Sequence, residues 1–235
     1  MEDLAELKQR IRREIWTRLE TSGVSDFPRP IFGRIPNFLG RERAAELLCS
    51  LPAYRTADVV FVSPDSPQLP VREAVLRDGK RLIMASPRLR KGFLELADPG
   101  VGATISAAMR FGREIKPWEI TVDLMVEGSV AVDAFGGRLG KGGGFGDLEF
   151  AILVESGAVT DATPVATTVH ELQLVEKVPM TQHDVPVDIV VTQKRVLKVE
   201  RKYPRPAGVL WDLLDESAAK RIPLLAELGK RVGHL

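Results

Sequence analysis

A cluster of glycines between a predicted strand and a predicted helix is the most informative segment for chemistry. It reads FGGRLGKGGGFGD, and its closely spaced glycines and basic residues are Gly140, Gly142, Gly143, Gly144, Gly146, Arg138 and Lys141. Glycines let a backbone approach a ligand closely, and successive N–H groups can cradle a phosphate. The following helix would point its N-terminus, which carries partial positive charge, at the same ligand. The segment favours phosphate binding over the alternative of a flexible loop.

Asp147 lies at the predicted start of that helix. Its carboxylate could cap the helix, or it could hold Mg²⁺ beside a bound phosphate. The glycine segment matches neither a Walker A loop nor the GxGxxG fingerprint of dinucleotide-binding domains. The residues alone therefore indicate a phosphate site without naming its ligand.

Two polar groups flank predicted buried strands elsewhere in the chain. Ser63, Asp65 and Gln68 lie in SPDSPQ, at the carboxyl end of the first core strand, where open α/β sheets bind ligands. An ordinary strand-to-helix turn capped by Asp or Ser explains them equally well. His183 and Asp184 lie in a loop just before the last core strand. Asp184 could orient a ligand or a cation there, or it could be a turn residue.

Lys8 and Arg12 are the basic pair of interest near the N-terminus. They lie four residues apart in the first predicted helix and therefore on one face. Because Arg10 and Arg13 are also basic, spacing alone makes a solvated face the simpler interpretation.

Length and composition describe an ordinary globular protein. The chain has 235 residues, of which 44% are hydrophobic and 28% charged, so it can bury a sizeable core. Its net charge of +1 argues against nucleic acid as a partner and gives no attraction to an anionic membrane. The single cysteine, Cys49, and three histidines argue against a disulfide and a structural zinc site. Without an apolar run of roughly 20 residues or a signal sequence, we expect a cytoplasmic protein with no membrane contact.

Predicted strands and helices alternate along the chain, which indicates βαβ units and a mostly parallel sheet. Strands are predicted over 57–63, 81–86, 164–170 and 187–192, with one or two more in 120–132. Helices are predicted over 2–20, 41–51, 70–79 and 147–158, and in parts of 209–232. Residues 21–40 are predicted to form an extended loop, and 87–119 stay unassigned apart from a candidate helix at ISAAMRF. We expect a single α/β domain over 1–235.

Taken in order, these segments resemble the 5-formyltetrahydrofolate cyclo-ligase family, also called methenyltetrahydrofolate synthetase. The family pattern begins with a Lys four residues before an Arg, matched in KQRIR by Lys8 and Arg12. A strand with a short polar ligand loop follows, as in VVFVSPDSPQ. The G-R-x-G-x-G-x-G segment is matched by GRLGKGGGFGD through Gly137, Arg138, Gly140, Gly142, Gly144 and Asp147. The last element, VPMTQHDVPVDIVVT, matches through Asp184 and Asp188, and the resemblance covers most of 5–195.

The resemblance implies a three-layer α/β/α sandwich with a core over about 5–195 and a C-terminal extension over about 196–235. It implies ATP and Mg²⁺ as cofactors, and conversion of 5-formyltetrahydrofolate to 5,10-methenyltetrahydrofolate through a phosphorylated formyl intermediate. By analogy, the catalytic residues would be Lys8, Arg12, Arg138 and Lys141. The nucleotide would contact Lys8, Arg12, Gly140, Gly142, Gly143, Gly144, Phe145 and Asp147. The substrate would contact Ser63, Asp65, Gln68 and Phe145, and the metal would bind Asp147 and Asp184.

Departures from the family pattern concern the substrate side. The family carries two tyrosines before the aspartate of the glycine segment, and here Phe145 and Gly146 stand in their place. The segments PRLRKGFLEL and GRIPNFLG resemble a divergent branch, the methenyltetrahydrofolate synthetase domain-containing proteins. Two alternatives therefore stay open: an ATP-binding paralogue with another pterin-like or thiamin-related substrate, or a non-catalytic ligand-binding protein. In each case we expect a small-molecule partner and a monomer or homodimer.

Overall fold

The computed structural model describes residues 3–214 and 221–234. Its strands are β1 (Val59–Val62), β2 (Arg81–Ala85), β3 (Phe93–Leu96), β4 (Arg113–Ile115), β5 (Leu124–Glu127), β6 (Ala131–Val132), β7 (Arg138–Leu139), β8 (Val165–Thr168), β9 (Ile189–Val191) and β10 (Val196–Lys198). The α-helices of the described ranges are α1 (Leu4–Thr21), α2 (Arg41–Cys49), α3 (Pro52–Arg55), α4 (Leu69–Arg77), α5 (Ile105–Phe111), α6 (Phe145–Glu155) and α7 (Pro223–Val232). Short 3-10 helices include Ser66–Gln68, Glu171–Gln173 and Trp211–Leu213.

One sheet of eight strands runs in the order β10-β9-β8-β5-β1-β2-β3-β4. Its five central strands, from β9 to β2, pair in parallel. The antiparallel strands β3 and β4 extend one edge, and β10 extends the other. The mostly parallel sheet predicted from the alternating pattern is therefore confirmed.

Alternate residues of each central strand enter two separate hydrophobic clusters. In β1, Val59 and Phe61 join the cluster that contains α6 and α7. Val60 and Val62 join the cluster that contains α2 and α4. Because successive side chains of a strand point to opposite faces, helices cover both faces of the sheet. The three-layer α/β/α arrangement is confirmed.

A third hydrophobic cluster packs α1 against a small hairpin outside the main sheet. The strands β6 and β7 pair antiparallel. Buried α1 residues Ile15, Trp16 and Leu19 pack with Ala131 and Leu139 of this hairpin. The glycine segment leaves β7 directly, so this packing brings the N-terminal half of α1 to the glycines.

The structure assigns the segment that the sequence left open and shifts several boundaries. Residues 87–119 contain β3, β4 and α5, and the last of these coincides with the candidate helix. The helix predicted over 147–158 begins two residues earlier, at Phe145, and ends at Glu155. The run 120–132 holds β5 and β6. Of the helical tail predicted over 209–232, residues 215–220 lie outside the described residues.

Among the helices of the described ranges, none combines the length and apolarity needed to cross a membrane.

Gly136, in the turn between β6 and β7, has little room for a side chain. Its φ is +87°, and a Cβ there would lie 2.5 Å from the carbonyl oxygen of Val187. The carbonyl oxygen of Gly136 accepts from the N–H of Val187 at 2.9 Å. The turn thus ties the hairpin to the segment that leads into β9.

We predict that Gly136→Ala destabilises the protein more than Gly79→Ala. Gly79 has a similar φ of +72° but no atom within 4 Å of its Cβ position. Left-handed strain of about 1–2 kcal/mol applies to both, whereas overpacking adds about 1–3 kcal/mol only at Gly136. Urea unfolding of the two variants measures the difference, and equal losses of unfolding free energy would contradict this account.

Candidate functional site

Arg12 contacts the glycine segment from α1. Its Nε donates to the carbonyl oxygen of Gly140 at 2.8 Å. A Cβ at Gly142, whose φ is +102°, would lie 3.3 Å from Cζ of Arg12. The absence of a side chain at Gly142 therefore lets the guanidinium approach the loop backbone.

Lys8, one turn before Arg12, forms an ion pair with Asp184. Asp184 also accepts from the N–H of Thr181 at 2.6 Å and from its Oγ1 at 2.7 Å. Burial alone would raise the pKa of Asp184, but the hydrogen bonds from Lys8 and Thr181 outweigh it and the pKa is lowered. Asp184 therefore stays ionised and fixes the Lys8 ammonium beside the glycines.

Arg138, the basic residue at the start of β7 in the glycine segment, is buried and only 4% exposed. Its Nε donates to the carbonyl oxygen of Val185 at 3.0 Å, and one terminal nitrogen donates to that of Gly128 at 3.0 Å. The other terminal nitrogen pairs with Oδ1 of Asp147. Asp147 Oδ1 also accepts from the N–H of Val185 at 3.0 Å. Arg138 thus joins the end of β5, the start of α6 and the loop before β9.

Lys141 bridges the glycine segment to the loop that follows β1. Its Nζ lies 2.7 Å from Oδ1 of Asp65. Arg72 of α4 holds that loop from below, because its guanidinium donates to the carbonyl oxygens of Ser63 at 2.7 Å and Asp65 at 2.9 Å. The predicted ligand loop is therefore positioned by a buried arginine of the next helix.

The start of α6 has no side-chain cap. Gly144 occupies the N-cap position with a φ of +68°, and no side chain there accepts from the first turn. Asp147, which could have been the cap, bonds Arg138 and Val185 instead. The capping alternative for Asp147 is wrong, and the first-turn N–H groups stay available to an anion.

A cavity of about 290 Å³, here called the polar cavity, brings these groups together. Nearly all the sequence-predicted site residues line it: Lys8, Arg12, Ser63, Asp65, Arg138, Gly140, Lys141, Gly142, Gly143, Gly144, Phe145, Asp147 and Asp184. Gln68 differs, since it is fully buried and its Nε2 donates to the Thr168 hydroxyl at 3.1 Å.

Unpartnered buried polar atoms lie beside the polar cavity. Within the described residues, Oγ of Ser63, Oε1 of Gln68 and Oε1 of Glu127 have no hydrogen-bond partner. A Cβ at Gly128 would lie 3.2 Å from Oε1 of Gln68 and 3.0 Å from Asp65 Oδ2. Because an unpaired buried polar group is costly, a ligand that supplies N–H donors would be stabilised here.

Glu127 and Glu149 are two buried carboxyl groups that line the polar cavity and that sequence reasoning missed. Burial, with Arg138 opposing, raises the pKa of Glu127 to about 7. Burial and the neighbouring Glu127 raise the pKa of Glu149 well above its usual value. The sequence did carry a signal for these buried acids. Each of them interrupts an apolar run, Glu127 in DLMVEG and Glu149 in DLEFAILV.

The carboxylates of the site could bind Mg²⁺ only together with phosphate oxygens and water. No group of three or more His, Cys, Asp or Glu side chains in the described ranges is arranged around a common point. Asp147 and Asp184 each bond a cation through one oxygen. No hydrogen bond from a described residue reaches Oδ2 of Asp147 or Oδ1 of Asp184. One or two carboxylates with phosphate and water are an ordinary Mg²⁺ environment.

A glycine segment before an uncapped helix, ringed by cations at the end of parallel strands, is typical of phosphate-binding α/β proteins. The chain belongs to the 5-formyltetrahydrofolate cyclo-ligase family, whose model matches residues 4–193. Its fold is similar to the NMR structure of Aquifex aeolicus 5,10-methenyltetrahydrofolate synthetase. The TM-score is 0.55 at 20% identity, over 84% of this chain and 95% of that chain.

Relatives with curated names fall into two groups. The chain is 39% identical over 233 residues to a methenyltetrahydrofolate synthase domain-containing protein of Bos taurus, covering 94% of this chain and 61% of that protein. The Homo sapiens protein of the same name is 38% identical over 237 residues, covering 95% and 62%. The chain thus spans about three fifths of the length of these relatives. The 5-formyltetrahydrofolate cyclo-ligase of Escherichia coli (strain K12) is 37% identical over 75 residues, covering 32% and 38%.

We predict that Asp184→Asn destabilises the protein at pH 7 by about 3 kcal/mol, because it leaves the buried Lys8 ammonium without its counter-charge. A lowered pKa in the folded state stabilises the fold above the unfolded-state pKa of about 4 and loses that effect as pH falls. The difference between wild type and variant should therefore shrink below about pH 4. Urea unfolding across pH measures this, with the exposed Asp58→Asn as control. A pH-independent difference would refute the account.

Proposed function

We propose that this chain is an ATP- and Mg²⁺-dependent cyclo-ligase that converts 5-formyltetrahydrofolate to 5,10-methenyltetrahydrofolate. The observation that carries the proposal is the meeting of Lys8, Arg12 and Lys141 around the glycine segment in one cavity. Family membership supports the reaction class. Three cations beside an uncapped helix N-terminus provide the charge that polyphosphate binding requires.

Each part of the site has a proposed task toward the nucleotide. Backbone N–H groups from Gly140 to Gly144 would cradle phosphate oxygens, and Lys8 and Arg12 would neutralise their charge. Lys141, whose side chain is 42% exposed, would exchange its contact with Asp65 for a phosphate. The guanidinium of Arg138 already donates to three protein acceptors, so Arg138 would position Asp147. Direct contact between Arg138 and a phosphate stays a prediction.

The chemistry needs a good leaving group at the formyl carbon. The γ-phosphoryl group moves to the formyl oxygen, so that the bond to ADP breaks and a C–O–P linkage forms. N10 then attacks the activated carbon and loses its proton, and the former formyl oxygen leaves with inorganic phosphate. The protein contributes mainly by positioning the reactants and by neutralising phosphate charge.

Asp147 would hold Mg²⁺ through Oδ2 and Asp184 through Oδ1, the oxygens that accept no hydrogen bond from a described residue; Nε2 of His183 lies 3.9 Å from Oδ1 of Asp184. The bound ion would neutralise charge on the phosphate oxygens. Glu127 and the buried acceptors of Ser63 and Gln68 would receive N–H donors from the substrate ring.

A second candidate function keeps the nucleotide site and changes the substrate to another pterin-like or thiamin-related ring. Gly146 favours it, because a Cβ at this position would lie 3.2 Å from Oε2 of Glu127. The glycine thus opens space beside a carboxylate where the family pattern carries a tyrosine. ATP binding without turnover of 5-formyltetrahydrofolate would favour this candidate.

We predict ATP-dependent formation of methenyltetrahydrofolate, followed by its absorbance, when the chain is mixed with Mg·ATP and 5-formyltetrahydrofolate. Arg12→Met should lower kcat/KM by about 100-fold, because a charge aimed at the phosphates is lost. The matched control is Arg13→Met, which removes an exposed arginine from the next position of α1 and should leave the rate unchanged. Absence of signal from folded wild type would contradict the proposed function.

A further inference from the structure

The ion pair between Lys141 and Asp65 joins two parts of the polar cavity that have different proposed ligands. Lys141 belongs to the glycine segment, where the nucleotide phosphates would bind, and Asp65 belongs to the loop after β1, where the second substrate would bind. The ammonium nitrogen lies 2.7 Å from Oδ1 of Asp65. Both residues line the polar cavity. One contact therefore connects the two proposed subsites.

The backbone of Asp65 is held from below by a buried arginine. Its carbonyl oxygen accepts from the guanidinium of Arg72 at 2.9 Å and from the N–H of Gln68 at 3.2 Å. Arg72 also donates to the carbonyl oxygen of Ser63 at 2.7 Å. The backbone that carries the Asp65 carboxylate is thus anchored independently of Lys141.

Lys141 is the partner of this pair that is free to move. Its side chain is 42% exposed, against 19% for Asp65. Within the described residues, its ammonium bonds no group other than the Asp65 carboxylate. A compact charge on a flexible four-carbon stem can change partners when a more highly charged group arrives. The phosphates of a nucleotide are such a group.

The Asp65 carboxylate faces a wall that is rich in hydrogen-bond acceptors. A Cβ at Gly128 would lie 3.0 Å from Oδ2 of Asp65 and 3.2 Å from Oε1 of Gln68, so both oxygens face the same space. Oε1 of Gln68 and Oε1 of Glu127 have no hydrogen-bond partner among the described residues. Lys141 is the one cationic side chain of the described ranges that pairs with the Asp65 carboxylate. While it does so, it neutralises a charge that would attract the N–H donors of a ligand.

We propose that the Lys141–Asp65 pair couples the binding of the two ligands of this site. When a nucleotide binds, its phosphates draw Lys141 away, and the freed Asp65 carboxylate accepts N–H donors of the second substrate. The nucleotide therefore raises the affinity for the second substrate, and by linkage the second substrate raises the affinity for the nucleotide by the same factor. Lys141 acts here as a positioning residue, because its effect on the second substrate passes through Asp65. The inference rests on the proposed function, which places the phosphates at the glycine segment.

A bridging ammonium is the alternative to this exchange. Lysine has three N–H donors, so Lys141 could contact Asp65 and a phosphate at the same time. In that case Asp65 would help to hold the ammonium beside the phosphate, and its loss would not improve nucleotide binding through Lys141. If the two partners compete instead, loss of the Asp65 charge releases Lys141 and strengthens nucleotide binding.

Titration calorimetry of Mg·ATP into wild type, Asp65→Asn, Lys141→Met and the double variant separates these arrangements. Asp65→Asn should bind Mg·ATP about fivefold more tightly, the factor that a partly exposed ion pair can contribute. Lys141→Met should bind it about tenfold more weakly, because a phosphate partner is lost. In the Lys141→Met background, Asp65→Asn should have no further effect. The matched control is Asp58→Asn, an exposed position at the opposite end of β1 from Asp65, which should not change the affinity.

A second measurement tests the coupling itself without turnover. The affinity of wild type for 5-formyltetrahydrofolate should rise about fivefold in saturating Mg·adenylyl imidodiphosphate, an ATP analogue with a non-hydrolysable β–γ link. In Lys141→Met, the affinity should be the same with and without this nucleotide. Lys177→Met, which changes an exposed lysine outside the polar cavity, should keep the wild-type increase.

Several outcomes would overturn the inference. They are unchanged or weaker Mg·ATP binding by Asp65→Asn, an equal gain from Asp65→Asn in the Lys141→Met background, and a wild-type affinity for 5-formyltetrahydrofolate that the nucleotide does not change. If wild type still turns over 5-formyltetrahydrofolate, the proposed function survives these results. Conversely, the expected Mg·ATP results in a protein that does not bind 5-formyltetrahydrofolate would support the exchange of Lys141 and refute the proposed substrate.

Discussion

The buried guanidinium of Arg138 is the interaction on which the rest of the site depends. It satisfies the carbonyl oxygens of Gly128 and Val185 and the carboxylate of Asp147 at once. These acceptors come from the end of β5, the loop before β9 and the first turn of α6. Their separation along the chain is large, so no local preference could hold them together. A planar group with donors on three nitrogens can do so, whereas an ammonium cannot reproduce that geometry.

The electrostatic balance of the site follows from this arrangement. Arg138 and Lys8 each neutralise a carboxylate, Asp147 and Asp184, and those pairs fix the loops around the glycine segment. Arg12 instead donates to a backbone carbonyl and forms no ion pair with a carboxylate of the described residues, although Asp184 and Asp147 act on its charge at longer range. The uncapped start of α6 adds partial positive charge at the same point. Internal ion pairs therefore surround the Arg12 guanidinium and the uncapped start of α6, the two groups that would meet the phosphates of a bound nucleotide.

Sequence patterns predicted the parts of the fold that are locally encoded. The apolar runs of β1 and β2, the separating helix α4 and the glycine segment before α6 were all evident, and their order pointed to the family. The run 120–132, predicted to hold one or two strands, holds β5 and β6, but β7 and its pairing with β6 were missed because a strand of two residues has no periodicity. Contact between Arg12 and Gly140 joins residues 128 positions apart and depends on how α1 packs on that hairpin. The position of residues 206–214 beside α6 could not be predicted either, since it depends on tertiary packing.

Titration calorimetry of Mg·ATP into wild type and Arg138→Lys tests the central claim most directly. Lysine keeps the positive charge but cannot hold three acceptors, so the account predicts a folded variant whose ATP affinity falls by about 100-fold. Circular dichroism establishes that the variant is folded. ATP affinity equal to that of wild type in a folded Arg138→Lys protein would contradict the claim that this guanidinium organises the site.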